Sequence, residues 1–222
     1  FKNDFQNKEY IFVRRYAANA NFEKSNFPVS FGGTGGTNPS QNLVDSYETL
    51  DGTAFDWSDP VKAAHPFENR DERLLATVLM NGVLFKGKRI ATYPGGADAM
   101  PNPNATKTGY YLRKFLNENV NIQTGGGSDG HVVPLFRLAE IYLNYAEALN
   151  EYDPTNPDIA VYLNKIRERV SLPDVPSGLT QEQMRTLIHH ERRVELAFEE
   201  HRFWDVRRWK VASSTLGAPV KG

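Results

Sequence analysis

Cysteine is absent from the 222 residues, which excludes disulfides, thiolate metal sites and cysteine nucleophiles without locating the protein. Also missing is any apolar run near the ~20 residues that a membrane helix requires. Neither charge dominates, because 26 Lys plus Arg face 27 Asp plus Glu. No strong field therefore favours nucleic acid or an anionic membrane as partner. The zinc-protease pattern is incomplete: after His189-His190-Glu191 the second ligand position is occupied by Val194. No Lys-Ser/Thr pair follows Gly32-Gly33-Thr34-Gly35-Gly36, so that stretch is not a phosphate loop.

What remains is a chain with two grammars. Fourteen of its 17 glycines lie between positions 32 and 130, and eight of its 13 prolines lie at or before 134. Residues 1–134 therefore read as loops with short elements, 135–212 as helical, and 213–222 as a tail. Tyr10 to Tyr16 is rich in β-branched and aromatic residues and predicts a strand, as does Tyr110 to Phe115. Residues 71–80 carry Leu74, Leu75, Val78 and Leu79 at spacings that predict a short helix. Pro134 opens a segment with apolar residues at Leu135, Leu138, Ala139, Tyr142, Tyr145, Ala146 and Leu149, which predicts a helix ended by Asp153-Pro154. Thr155 or Asn156, with Pro157, marks the next helix start, and Ile159, Leu163, Ile166 and Val170 its buried face. Such a pair packs as an antiparallel hairpin of the tetratricopeptide type. Thr180-Gln181-Glu182-Gln183 fits a capping box for a third helix, leading into 191–210 with a bend near His201.

Residues 191–210 interleave charge with apolar bulk. Counted in helical steps, one stripe holds Glu191, Val194, Glu195, Phe198, Arg202 and Asp205. Buried charge without a partner costs several kcal/mol, and helical spacing predicts Arg192–Glu195, Glu199–Arg202 and Arg202–Asp205 pairs. The same carboxylates invite a glycoside-hydrolase reading. Six arginines between 185 and 208 oppose it, since such partners keep acids ionised and unfit for general-acid work. Trp204 and Trp209, beside Arg202, Arg207 and Arg208, read as core with cation–π support.

Aromatic rings stranded in polar loops are a second signal: Phe31, Tyr47, Phe55, Trp57 and Tyr93 sit among Asn, Asp, Ser, Thr and Gly. Sugars present a polar rim and patches of C–H, so rings flanked by amides and carboxylates such as Asn42 and Asp45 suit them. These seven are the candidate ligand residues. No catalytic or metal-ligating set is expected, and no cofactor.

Phe136-Arg137-Leu138-Ala139-Glu140-Ile141-Tyr142-Leu143-Asn144-Tyr145-Ala146-Glu147-Ala148-Leu149-Asn150, followed by Leu163 to Arg169 and the 191–210 segment, resembles the C-terminal part of the SusD/RagB family. Asn38 to Asp45, Asn69-Arg70-Asp71 and Thr108 to Leu112 resemble its middle region. The resemblance implies a mainly α, SusD-like fold with a loop-rich region and a few short strands. It also implies a nutrient-binding surface lipoprotein of Bacteroidetes, non-catalytic, that hands a glycan or peptide to a SusC-like TonB-dependent transporter in the outer membrane. Full members carry a signal, a lipid-bearing Cys and an N-terminal helical half. The chain opens Phe1-Lys2-Asn3-Asp4, so the expectation is a fragment whose missing half leaves apolar surface exposed. The rival classes are a carbohydrate-active enzyme and a helical protein-binding scaffold.

Overall fold

The computed structural model describes residues 7–125, 127 and 130–220. The flexible connector expected at 125–130 thus lies partly outside the described residues. The chain runs β1 (Tyr10–Arg15), α1 (Asn21–Asn26), α2 (Gln41–Val44), α3 (Pro60–Ala64), α4 (Glu72–Thr77), β2 (Val78–Leu79), β3 (Leu84–Phe85), β4 (Lys88–Arg89), β5 (Tyr111–Leu112) and β6 (Val132–Arg137). It continues through α5 (Leu138–Tyr152), α6 (Asp158–Glu168), α7 (Gln181–Glu195), α8 (His201–Arg208) and α9 (Ala212–Leu216). The fold is mainly helical, with a few short strands, as expected.

Local chemistry explains where helices start. The Asp59 carboxylate accepts from the Val61 and Lys62 amides (2.9 and 3.2 Å) with Pro60 in the first turn of α3. The Thr180–Gln183 capping box is closed in both directions at the head of α7. At α6 the helix begins one position later than the capping reading implied, with Asn156 Oδ1 accepting from the Asp158 amide at 3.1 Å.

Two expectations are corrected. Pro134 does not open a helix. It lies in β6, opposite Val13, in an antiparallel pair of β1 and β6. The β-branched Val132-Val133 pair favours extended backbone, and β6 has a single strand neighbour, so the missing proline N–H breaks no ladder. The helix over 71–80 stops at Thr77, because Val78 and Leu79 turn extended and pair with Leu112 and Tyr111. The strand expected over 110–115 is correspondingly short.

Three apolar clusters hold the fold. Leu143, Ala146, Ile159, Leu163, Ile166 and Ile188 join α5, α6 and α7. Val44, Tyr47, Leu74, Val78, Met80 and Tyr110 form a second cluster under the loops, and Val194 of α7 reaches into it. Phe27, Leu79, Phe85, Ile90, Tyr111 and Val120 form the third. Each fully buried large apolar side chain contributes about 1.5–3 kcal/mol. Elsewhere apolar surface is open: Phe12, Leu135, Phe136, Phe203 and Trp204 are exposed. No helix among the described residues is long and apolar enough to cross a membrane.

Candidate functional site

Glu191 and Glu195 of α7, and Glu199 just beyond it, have buried carboxylates cross-linked to distant segments. Glu191 takes Arg73 (2.5 Å) from α4 and Arg167 (3.0 Å) from α6. Glu195 takes Arg73 (2.9 Å), Arg137 (2.8 Å) from β6 and Arg169 (2.6 Å). Glu199 takes Lys114 and Arg137, both at 2.6 Å. Burial pushes the Glu195 carboxyl up, but the guanidinium groups of Arg137, Arg169 and Arg73 overcome it and hold the group well below the usual carboxylate range.

The partners are not those the helical spacing predicted. Arg192 meets Asp205 (2.9 Å) and Asn144 (2.6 Å) rather than Glu195. The reason is a backbone reversal, with Phe198 and Glu200 at positive φ (63° and 69°), which ends α7 and starts α8 on a new course. The turn also corrects the reading of Trp204. Asp205 and Val206 point inward, and Trp204 stands 66% exposed with its ring edge-on to Phe203. Trp209 is half-buried, stacked on His189 at 3.6 Å and donating to Glu147 at 2.7 Å. His190 instead faces Glu48 at 3.6 Å, so the two histidines are drawn to different partners. Among the described residues no group of three or more His, Asp or Glu is placed to hold a metal ion.

The seven candidate ligand residues separate into three environments. Trp57, Phe55, Asp45 and Asn42 form one patch. Asn42 lies in α2 and Asp45 at its C-terminal cap, and the helix's first turn is capped by the Ser40 side chain. Asp45 Oδ1 accepts from the Trp57 indole N–H at 2.8 Å and from Gln41 Nε2 at 2.7 Å. The Trp57 ring packs edge-on against Phe55 (4.9 Å between centroids, 73°), and the Arg70 guanidinium lies 4.1 Å from the Phe55 centroid. Arg70 is itself fixed by the carbonyls of Val44, Tyr47 and Pro66. A ring held on one side by a hydrogen bond and on another by an aromatic edge is pre-oriented, yet Trp57 remains 45% exposed. Asn42 receives Arg193 on its carbonyl at 2.7 Å.

Phe31 and Tyr93 belong to a second neighbourhood. Asp98 ties their loops together, accepting from the Ser30 amide (2.9 Å) and the Ala91 amide (3.1 Å). Phe31 packs edge-on against Phe85 at 5.1 Å, whereas Tyr93 is exposed. A cleft of about 430 Å³, whose lining includes neither ring, is walled by Asn38, Met100, Asn102, Asn104 and Lys107. Its Asn102 side chain donates to the carbonyls of Gly96 and Ala97 in the Tyr93 loop. No local sequence pattern announced that cleft.

Tyr47 is the correction. It is fully buried in the second apolar cluster and offers no ring face to a ligand. Val44 and Leu74 enclose it, and polar neighbours in sequence did not reveal that enclosure. Gln41, Arg70 and Tyr110 complete the Trp57 patch without having been singled out as ligand residues. Tyr110 donates to Gln41 Oε1 at 2.6 Å and so steadies the amide that holds Asp45. Their signal lay in the matched segments themselves, but no local pattern tied them to Trp57.

A model described as SusD family matches residues 3–222. The chain is similar to a SusD-like carbohydrate-binding protein from Bacteroides fragilis, with 31% identity and a TM-score of 0.85 over 96% of this chain and 44% of that one. It is 36% identical over 126 residues to SusD-like protein P2 of Formosa agariphila, covering 54% of this chain and 24% of the relative. A laminarin-binding SusD-like protein aligns over 97% of this chain and 45% of its own, with 27% identity and a TM-score of 0.54. The chain thus spans less than half the length of each of these relatives.

Proposed function

The chain belongs to the SusD family, and on that premise we propose that it takes part in capturing a glycan without altering it chemically. The observation that carries the reading is Trp57: a half-exposed indole on a loop, held by Asp45 and braced by Phe55. A ring fixed in advance loses little conformational freedom on binding, and its face matches the C–H patches of a pyranose. Asp45 and Asn42 beside it supply hydrogen-bonding groups for hydroxyls. The names of similar proteins, one carbohydrate-binding and one laminarin-binding, support the same cargo class.

Non-catalytic action is supported by the state of the acids. A general acid needs a carboxyl that holds its proton near neutral pH. Glu191 and Glu195 are instead clamped by arginines inside the scaffold, and Glu195 titrates well below the usual range. Delivery to a SusC-like TonB-dependent transporter, from a lipid-anchored position on the outer surface, is the part of the proposal that rests on family membership alone.

Affinity gel electrophoresis over a panel of soluble polysaccharides and peptides tests the reading. At least one polysaccharide should retard the chain, Trp57→Ala should abolish the retardation, and no reducing sugar should appear. Release of reducing sugar, or retardation by peptides alone, would overturn it.

A further inference from the structure

We propose that the cleft walled by Asn102, Asn104 and Lys107 is a second contact for a glycan anchored at Trp57, and that it reads the configuration of the sugar hydroxyls. The inference rests on the glycan reading above and adds what sets selectivity.

The cleft lies between residues 34–38 and residues 100–107, two segments held together by tertiary bonds. The Asn38 side chain donates to the Gly35 carbonyl (2.7 Å) and accepts from the Lys107 amide (3.1 Å), which joins one wall to the other. The Thr108 hydroxyl adds a tie to the Pro39 carbonyl (2.6 Å). The walls meet at Gly35, where a Cβ would lie 2.7 Å from the Asn104 carbonyl oxygen. Behind them the Tyr111 hydroxyl accepts from the Thr106 amide (3.0 Å) and donates to the Asp98 carbonyl (2.7 Å). A space of about 430 Å³ framed in this way is preformed and falls within the ~300–1,000 Å³ of small-molecule sites.

The frame leaves a mixed set of hydrogen-bonding groups open. Asn102 commits its Nδ2 to the carbonyls of Gly96 and Ala97, while its Oδ1 has no partner among the described residues. Asn104, at φ 64°, and Lys107 are exposed, and their side chains have no hydrogen-bond or ion-pair partner among the described residues. A hydroxyl both donates and accepts. An acceptor at Asn102, a donor at Lys107 and an amide at Asn104 that does both therefore suit a row of hydroxyls. The lining holds no aromatic ring and no carboxylate. An indole face accepts any pyranose that offers C–H, whereas a formed polar cleft penalises a hydroxyl that leaves its groups unpaired. Trp57 grips; the cleft discriminates.

The two places are close enough for one glycan chain. Asn38 stands three residues before Gln41, whose amide holds Asp45 at the Trp57 ring. Three extended residues and four helical steps put the Asn38 and Asp45 Cα atoms at most about 17 Å apart.

The test is titration calorimetry with neutral oligosaccharides of equal length that differ in hydroxyl configuration or linkage: β-1,4-glucan, β-1,4-mannan, β-1,4-galactan and β-1,3-glucan. The parent should prefer one of them by at least about tenfold. The Asn104→Gly, Lys107→Ala double variant alters exposed side chains only, and glycine accepts the positive φ at 104. At about fivefold for each lost hydrogen bond, it should weaken the preferred ligand on the order of thirtyfold and bring it level with the others. Hydrogen exchange on the parent chain reads the same contact without a mutation: the preferred ligand should slow exchange in residues 34–38 and 100–107. A parent that binds all four equally, a double variant with its preference unchanged, or a loss shared equally by all four overturns the cleft's role and leaves capture at Trp57 intact. Unchanged exchange in both segments does the same. Failure of every saccharide to bind, here and in the gel panel, overturns glycan capture and this inference with it.

Discussion

Replacing Glu195 by Gln removes one buried charge from a site where three guanidinium groups converge, and its cost follows from what each arginine keeps. Arg73 retains Glu191 and Asp71, and Arg137 retains Glu199 and Glu9. Arg169 has a side chain 43% exposed and can turn to water. Breaking a buried pair ordinarily costs 3–5 kcal/mol, and these fallbacks place the variant at the lower end, about 3 kcal/mol. With a urea slope of about 2 kcal/mol/M, the midpoint of the purified chain should fall by roughly 1.5 M. The melting temperature should fall by about 6–12 °C. The pH dependence gives an independent readout. Because the folded-state pKa lies below the ordinary 4.5, the carboxylate contributes stability that is complete above that value and lost as pH falls through the folded-state pKa. The Glu195→Gln variant should therefore lose less stability between pH 4.5 and pH 2 than the parent. Glu151→Gln, which disturbs an exposed pair with Arg185, serves as the control and should leave the midpoint unchanged. A Glu195→Gln shift below about 0.5 M, or an acid limb identical to the parent's, would refute the account of the network as a neutralised scaffold.

Burial depresses His189, His190 and His201 below their ordinary value, so the unfolded chain binds more protons, and stability should decline as pH falls below about 6.5. Thermal melts from pH 7.5 to 5.5 check this, and a flat profile would contradict it. A Cβ at Gly33 would lie 2.1 Å from the Phe27 carbonyl oxygen, so Gly33→Ala should destabilise by about 3 kcal/mol in urea titration. Leu163→Ala, fully buried between the hairpin helices, should cost about 3 kcal/mol. Trp204→Ala should change the stability of the purified chain by no more than about 0.5 kcal/mol, since its side chain stands largely in solvent.

Legibility in the sequence tracked the range of the forces involved. The capping box at Thr180, the hairpin stripe of Ile159, Leu163 and Ile166, and strand β1 depend on neighbours a few residues away. Pro134 to Phe136 reads as the start of a helix on its apolar spacing, whereas it is extended in pairing with Tyr10–Arg15, more than a hundred positions earlier. The need for counter-charges along 191–210 was readable, because burial penalties follow from residue type. Their identity was not: Arg73 and Arg137 arrive from other segments, and the helix through which local pairs were counted is interrupted at 196–200. The Trp57 patch was half legible. Its ring, Asp45 and Asn42 stood out, while Tyr47, three residues beyond Asn42's turn-mate Val44, faces into the core and shows that polar company in sequence does not predict company in space.

The reversal at residues 196–200 has a consequence for how this part of the chain tolerates change. An uninterrupted helix would carry Asp205 about 20 Å along the axis from Arg192, yet the two meet at 2.9 Å. Within the turn, Leu196 packs into the first apolar cluster and Glu199 is held by Lys114 and Arg137, so both its side chains and its length are constrained. Inserting or deleting a residue there would displace the start of α8 relative to α7 and draw Asp205 away from Arg192, so changes of length should be poorly tolerated in this stretch.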